Sequence, residues 1–86
     1  MKNKENLTMY SIKPGKYRHH KTQKLYEVIG MAIHSETLEE LVVYKALYTS
    51  ERFAIGQLWV RPATLFLGKI KTQNNEEVAR FEYLRE

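Results

Sequence analysis

The sequence contains no cysteine and no aspartate, and only two prolines and four glycines among its 86 residues. Without cysteine, disulfide bonds, thiolate zinc ligands and a cysteine nucleophile are excluded, so we expect the chain to fold on packing alone. Without aspartate, a Ser-His-Asp triad is excluded as well. No apolar run approaches the roughly 18 residues of a membrane span, and the N-terminus lacks the apolar stretch of a signal peptide. We therefore expect a cytoplasmic protein with no membrane association.

The composition is that of one globular domain. Hydrophobic residues make up 43% of the chain and aromatic residues 12%, which excludes a disordered chain, and two separate cores would each be too small to be stable. Pro14 and Gly15 mark a turn after a polar segment without clear periodicity. We therefore predict an N-terminal arm at residues 1–13 and a single small β-barrel domain at residues 14–86.

Short runs of β-branched and aromatic residues follow Gly15, and such runs predict strands. A polar loop at residues 72–77 predicts a last hairpin. Short helical turns are predicted at residues 35–41 and 62–66, the second because proline is favoured at a first helical position. We predict a mostly β fold, a small SH3-like barrel of five or six strands with one or two short helical turns. An OB-like barrel is the alternative, but the helix that it usually carries is not visible.

Side-chain alternation predicts which face of each strand is buried. A connection at residues 21–24 would place Arg18 opposite Glu27, and a loop at residues 35–41 would place Ala32 opposite Tyr44. The inner face of the first two strands would then hold Tyr17, His19, Tyr26, Val28, Gly30 and Ala32.

The outer face predicted by this register is unusually apolar. Its apolar residues are Ile29, Met31, Ile33, Leu41, Val43 and Leu47. An apolar patch of this extent is seldom left bare. The N-terminal arm, the turn near Phe66 or a second subunit could cover it, so a homodimer is one expectation.

The segment His34-Ser35-Glu36-Thr37 is the sharpest cluster of reactive residue types. Glu36 could orient or deprotonate His34, whose imidazole titrates near neutrality, and a small hydrolase is therefore one hypothesis. In the structural alternative, His34 only ties down its loop through hydrogen bonds. The histidines have no metal-ligand spacing, and adjacent strand residues point to opposite faces, so we predict neither a metal site nor a cofactor.

Trp59 and Arg61 share one face of a predicted strand. A guanidinium beside an indole can bind a carboxylate, a phosphate or a base. In the alternative, Trp59 packs in the core and Arg61 pairs with a loop glutamate such as Glu36, while tyrosines such as Tyr44 are core residues. Our leading hypothesis is a non-enzymatic binding module for a polar or anionic ligand, such as a peptide, a nucleotide or a single strand. Its candidate residues are Arg18, His34, Glu36, Tyr44, Trp59 and Arg61.

Positive charge is concentrated near the N-terminus. Residues 1–24 carry a net charge of +6, whereas the whole chain carries +4. Nucleic-acid binding through this segment, aided by aromatic stacking, is therefore an alternative function. Its candidate residues are Lys13, Lys16, Arg18, Lys21 and Lys24. In the structural alternative, residues 21–24 are a solvated hairpin turn and residues 2–4 are a loose tail.

Several motifs together resemble a known family. They are GKYRH at 15–19, LYEV at 25–28, HSET at 34–37, VVYKALY at 42–48, LWVRP at 58–62 and Phe81. This combination resembles the short bacterial proteins catalogued as Domain of Unknown Function 1653. The resemblance implies a small cytoplasmic bacterial protein without an assigned activity, and it carries no catalytic residues to transfer. The chain departs from the family pattern at residues 20–23 and at residues 49–57. The second departure suggests that residues 50–56 are a variable loop rather than a site.

Overall fold

The computed structural model describes residues 8–86, and within them the chain is mostly β, as predicted. Seven strands and one helical turn follow each other along the chain. They are β1 (Gly15–His19), β2 (Leu25–Ile33), β3 (Glu40–Ala46), β4 (Leu58–Pro62), α1 (Ala63–Phe66), β5 (Lys69–Lys71), β6 (Glu77–Ala79) and β7 (Phe81–Arg85).

Five of the strands form one antiparallel sheet with the order β4-β3-β2-β1-β7, and β5 pairs with β6 in a separate hairpin. Strands β1 to β4 therefore form a meander, and the last strand returns to pair with the first. The described strands do not close into a barrel, because β4 and β7 lie at opposite edges of the sheet. Phe66 of α1 packs against Phe81 of β7, and the centroids of the two stacked rings are 4.0 Å apart.

The β1–β2 register differs from the prediction by two residues. Tyr17 lies opposite Tyr26, and Arg18 lies opposite Leu25 rather than Glu27. The turn closes one residue earlier than predicted, where the His19 amide donates to the Lys24 carbonyl at 2.9 Å. A shift of two residues keeps every side chain on its face. The predicted burial of Tyr17 is therefore confirmed.

The β2–β3 pairing contains a bulge that the sequence analysis missed. Val28 pairs with Tyr44, and after the bulge Met31 pairs with Val42. An extra residue in one strand exchanges the two faces beyond it. Met31 consequently packs against the core instead of pointing outward, and the predicted inward positions of Gly30 and Ala32 are wrong.

The loop before β3 is a turn and not the predicted helical turn. The His34 amide donates to the Glu39 carbonyl, and the Leu38 amide donates to the His34 carbonyl, both at 2.8 Å. Leu38 adopts a left-handed conformation with φ of 64°, which ends the turn and starts β3 at Glu40. The helical turn predicted near Pro62 is confirmed as α1.

Aromatic rings dominate the core on the concave side of the sheet. Phe66, Val28 and Val42 are the largest side chains that are fully buried. The remaining core residues are Tyr17, Tyr44, Ala63 and Phe81. The rings meet mostly edge to face at centroid distances between 4.8 and 5.7 Å, an arrangement that suits their quadrupoles.

The N-terminal arm packs on this core where it is described. Tyr10 and Ile12 contact the core cluster. The carboxylate of Glu40 accepts hydrogen bonds from the Met9 and Tyr10 amides at 2.7 and 3.0 Å. The described part of the arm thus reaches the core rather than the outer apolar face, where Ile29 stays exposed. Ile33, predicted on the outer face, lies beyond the bulge on the same face as Met31. Residues 1–7 of the predicted arm lie outside the described residues.

Candidate functional site

A cleft of about 600 Å³ lies between the β1–β2 turn and the β5–β6 hairpin. Its walls carry cationic and neutral polar groups and no carboxylate. The lining residues are His19, His20, Lys21, Ile70, Lys71, Thr72, Gln73, Asn74 and Arg80. A concave surface with several cations and no acid has the chemistry of an anion site.

Arg80 joins the two walls of this cleft. Its backbone amide donates to Gly68 O at 3.0 Å, and its carbonyl accepts the His20 amide at 2.8 Å. The side chain is held as well, because Nε donates to Leu65 O at 3.1 Å. This bond uses one of the five N–H groups of the guanidinium, and the terminal nitrogens are left for other acceptors.

Arg61 approaches the same region from β4. Its guanidinium carbon lies 5.3 Å from the centroid of the Phe81 ring, whose other contacts include the stacked Phe66. The ion pairs among residues 8–86 are Arg18 with Glu82 and Lys45 with Glu27, so neither Arg61 nor Arg80 has a carboxylate partner there. The predicted alternative, an ion pair between Arg61 and Glu36, is not present.

His19 lines the cleft, and the charges of both arginines act on its imidazole. Its ring meets Phe81 edge to face at 4.8 Å, and Nδ1 accepts the Thr22 amide at 3.3 Å. Burial and then the charges of Arg61 and Arg80 lower the pKa of His19 below its ordinary value of 6.5. The positive potential at the imidazole is therefore not compensated by nearby carboxylates.

A pair of tyrosines borders the Phe81 ring. The hydroxyl oxygens of Tyr26 and Tyr48 are 2.6 Å apart, and Lys24 Nζ lies 5.0 Å from the Tyr48 ring centroid. Burial and the hydrogen bond to Tyr48 raise the pKa of Tyr26 well above its usual range. Tyr26 is thus held neutral.

The structure does not bring His34 and Glu36 together as an acid–base pair. His34 Nδ1 accepts the backbone amides of Glu36 and Thr37 at 3.1 and 3.3 Å, so the imidazole caps its own turn. Both residues are exposed, and neither lines the cleft. The structural alternative accounts for these contacts, and the hydrolase hypothesis stays an untested prediction.

Trp59 and Arg61 do share a face, as predicted, because they lie opposite the buried Tyr44 and Val42. Trp59 is not sealed in the core. It is 36% exposed and meets Phe53 edge to face at 5.0 Å. Tyr44 is buried under the site and is a core residue, with a side chain 5% exposed.

The remaining candidates lie apart from one another. Arg18 is on the outer face and pairs with Glu82 at 2.9 Å. Lys16 pairs in register with Glu27 and Arg85, and Lys13 Nζ lies 4.7 Å from the Tyr83 ring. Of the cationic residues predicted to bind nucleic acid, Lys21 lines the cleft and Lys24 lies at the tyrosine pair. The basic segment is therefore not one continuous surface.

Sequence reasoning missed the cations that the last hairpin contributes. Lys71 and Arg80 flank the polar loop at residues 72–77, and Asn74 lies at its tip. They are far from Lys21 in sequence and meet it through the fold. A hairpin with a cation at each side and polar residues at its tip was the available signal.

Residues 8–86 contain neither a metal-binding cluster nor a membrane-spanning helix. No group of three or more histidine or glutamate side chains there is arranged to hold a metal ion. In the same part of the chain, no helix has the length and apolar character needed to cross a bilayer.

The fold and the cleft define a small β domain with a cationic surface site. The chain belongs to the family described as Protein of unknown function (DUF1653), which it matches over residues 15–83. It is similar to the crystal structure of a DUF1653 protein from Bordetella bronchiseptica, with 32% sequence identity and a TM-score of 0.73. The similarity covers 85% of this chain and 87% of that one. A comparison with curated proteins found no match.

Proposed function

We propose that this domain is a non-enzymatic binding module for a phosphate-bearing ligand, a nucleotide or a short single strand of nucleic acid. The observation that carries the proposal is the cleft in which Lys21, Lys71 and Arg80 meet without a carboxylate in the lining. We place this activity in the cytoplasm, the compartment expected from the sequence.

The guanidinium of Arg80 supports the proposal most directly. The bond from Nε to Leu65 O fixes the plane of the group, so little side-chain freedom remains to be lost when an anion binds. Terminal N–H groups of a held guanidinium match the geometry of two phosphate oxygens. Lys21 and Lys71 add point charges from the opposite walls.

The aromatic residues next to the cleft support a nucleic ligand over a simple anion. Arg61 and the Tyr26–Tyr48 pair lie around the buried Phe81 ring, which also contacts His19 of the cleft. Trp59, which is 36% exposed, shares a face of β4 with Arg61. Planar groups beside cations are typical of sites that bind bases together with phosphates. The two candidate ligands differ in length. A mononucleotide would occupy only the cleft, whereas a single strand would extend from the cleft along β4.

The proposal is tested by titrating the full chain with a labelled single-stranded oligonucleotide and, separately, with a mononucleotide at two ionic strengths. Three cation–phosphate contacts predict a slope of about −2 in log K against log salt, and so a loss of roughly twenty-fold in affinity between 50 and 200 mM salt. Binding of the mononucleotide with the same affinity as the strand would identify the cleft alone as the site. If neither ligand binds at low salt, the proposal is wrong.

Matched variants locate the site. We expect Arg80→Gln and Lys71→Gln each to weaken binding by about tenfold, since each removes one charge-assisted contact. Lys69→Gln is the control, because Lys69 lies on the same hairpin, is exposed and does not line the cleft. Equal losses in all three variants would show a diffuse charge effect and would contradict a defined site.

A further inference from the structure

The free edge of β4 is a second surface that could bind a partner. The β3–β4 ladder is regular from the pair Lys45 and Leu58 to the pair Leu41 and Pro62. The Ala46 amide donates to Gln57 O at 2.9 Å, so Ala46 and Gln57 form a hydrogen-bonded pair. In an antiparallel ladder, hydrogen-bonded and non-hydrogen-bonded pairs alternate. Trp59 and Arg61 therefore direct their backbone groups at β3, and Leu58 and Val60 direct theirs away from the sheet.

Leu58 and Val60 are the residues of β4 that present both an N–H and a carbonyl to the free side. Pro62 also faces that side but has no N–H. The Gln57 side-chain amide donates to Leu58 O at 3.1 Å, which leaves a second lone pair on that carbonyl. Within residues 8–86 no other side chain bonds to the outward groups of Leu58 or Val60.

The first part of β4 leaves this edge unprotected, because the charge and the proline that commonly block an edge, Arg61 and Pro62, lie only at its C-terminal end. Leu58 and Val60 are 56% and 58% exposed, and Trp59 between them is 36% exposed. Edge strands in soluble proteins are usually blocked by charges or bulges. The opposite edge strand, β7, follows that habit, since it carries Glu82 and Arg85 and its pairing with β1 contains a register shift.

We propose that β4 pairs antiparallel with β4 of a second copy of this chain, around a two-fold axis at Trp59. In this register Leu58 of each copy lies opposite Val60 of the other, so both residues exchange their N–H and carbonyl groups across the axis. Trp59 faces Trp59 of the second copy as a closely spaced non-hydrogen-bonded pair.

The backbone favours this register over its neighbours. Moving the axis to Val60 would place Pro62 opposite Leu58, and a proline supplies no N–H to the pair. Moving it to Leu58 would leave the N–H and the carbonyl of Val60 facing solvent. Only the register around Trp59 pairs both the N–H and the carbonyl groups of Leu58 and Val60, and it places the largest exposed side chain at the centre, where interface energy concentrates.

The dimer is also consistent with the contacts that Trp59 already makes. Its indole lies against Phe53 at 5.0 Å, so two such pairs would form one aromatic cluster across the axis. A five-residue edge buries less surface than a standard stable interface. The dimer should therefore be weak, forming at high protein concentration and dissociating on dilution. This inference is independent of phosphate binding.

The test is sedimentation velocity of the full chain from micromolar to millimolar concentration. We expect the average mass to rise from one chain to two chains over this range. Because Trp59 is the single tryptophan, its emission should shift to shorter wavelength over the same range as the indole is buried. A chain that stays monomeric throughout would overturn the inference.

Two variants distinguish the edge from the outer face. Val60→Lys places a charge next to the axis, opposite Leu58 of the second copy, and should raise the dissociation constant at least tenfold, which corresponds to about 1.4 kcal/mol. Ile29→Lys alters an exposed apolar residue of similar size on the outer face of β2 and should leave dimerisation unchanged. Circular dichroism checks that both variants fold. Loss of the dimer with Ile29→Lys but not with Val60→Lys would assign the interface to the outer face and contradict the proposal.

The register has its own test, since the chain contains no cysteine. Opposed residues in a hydrogen-bonded pair have Cα atoms about 5.5 Å apart, within the range for a disulfide. A mixture of Leu58→Cys and Val60→Cys chains should therefore cross-link under mild oxidation much faster than either variant alone. Equal cross-linking in the mixture and in the single variants would rule out this register.

Discussion

Gly15 stands at the start of β1, where the chain passes very close to its own C-terminal strand. Its φ is +138°, a conformation that side chains disfavour. A Cβ atom built there would lie 2.6 Å from Arg85 O and 2.9 Å from Glu86 Cα, both backbone atoms. Neither contact can be relieved by moving a side chain, so the β1–β7 pairing depends on glycine at this residue.

We expect Gly15→Ala to lower the free energy of unfolding by about 1–3 kcal/mol, the usual cost of a strained backbone residue. Urea denaturation followed by circular dichroism measures it. Gly30→Ala is the matched control in the same sheet, since Gly30 has no positive φ and no atom within 4 Å of its built Cβ. Equal losses in the two variants would show that strand propensity, and not the close approach to β7, determines the loss of stability in Gly15→Ala.

At the scale of the elements, the N-terminal arm is attached to β3 by one carboxylate. Glu40, the first residue of β3, accepts the amides of Met9 and Tyr10. Tyr10 and Ile12 then add apolar contact with the core. A charged acceptor for two amides is stronger than a neutral one. The polar contact thus holds the arm in the position at which its apolar residues can pack.

Glu40→Gln keeps the size of this side chain and removes its charge and one acceptor. We expect faster hydrogen exchange at the Met9 and Tyr10 amides and a loss of at most about 1 kcal/mol in global stability, because the arm can detach without unfolding the sheet. Glu39→Gln, at the neighbouring exposed position, should change neither quantity. Unaltered exchange at both amides in Glu40→Gln would mean that apolar packing alone holds the arm.

For the whole molecule, the tyrosines of the core link stability to alkaline pH. Burial raises the pKa of Tyr17 and Tyr26 above the ordinary value of 10.0, and the hydrogen bond to Tyr48 adds to the effect at Tyr26. Between that value and the higher native pKa, the unfolded chain loses protons that the folded chain keeps. Stability is therefore fully present below about pH 10 and decreases as the pH rises further.

We expect the free energy of unfolding to fall above pH 10 by up to about 1.4 kcal/mol per pH unit for each tyrosine held neutral. Tyr26→Phe should make this fall less steep, although it also removes the bond to Tyr48. Urea midpoints between pH 8 and pH 11.5 measure the slope, and Tyr10→Phe serves as the control outside the pair. A slope that Tyr26→Phe leaves unchanged would contradict the assignment.

The strands could be predicted because their residue types are local properties. The alternation in β1 and β3 correctly placed Tyr17 and Tyr44 inside the domain. The registers could not be predicted, since they depend on where each turn closes and on the bulge after Val28. The turn before β3 contains Leu38 in a left-handed conformation. Leucine rarely adopts this conformation, so the sequence does not show where the turn ends.

The candidate site was predictable only in part, for the same reason. The shared face of Trp59 and Arg61 follows from strand alternation and is confirmed, whereas Arg80 and Lys71 were missed. Composition and periodicity by themselves determined a small mostly β domain without disulfides and with a basic surface. Tertiary structure alone decided which cations meet, because the cleft joins two hairpins that are distant in sequence and packed together through Arg80.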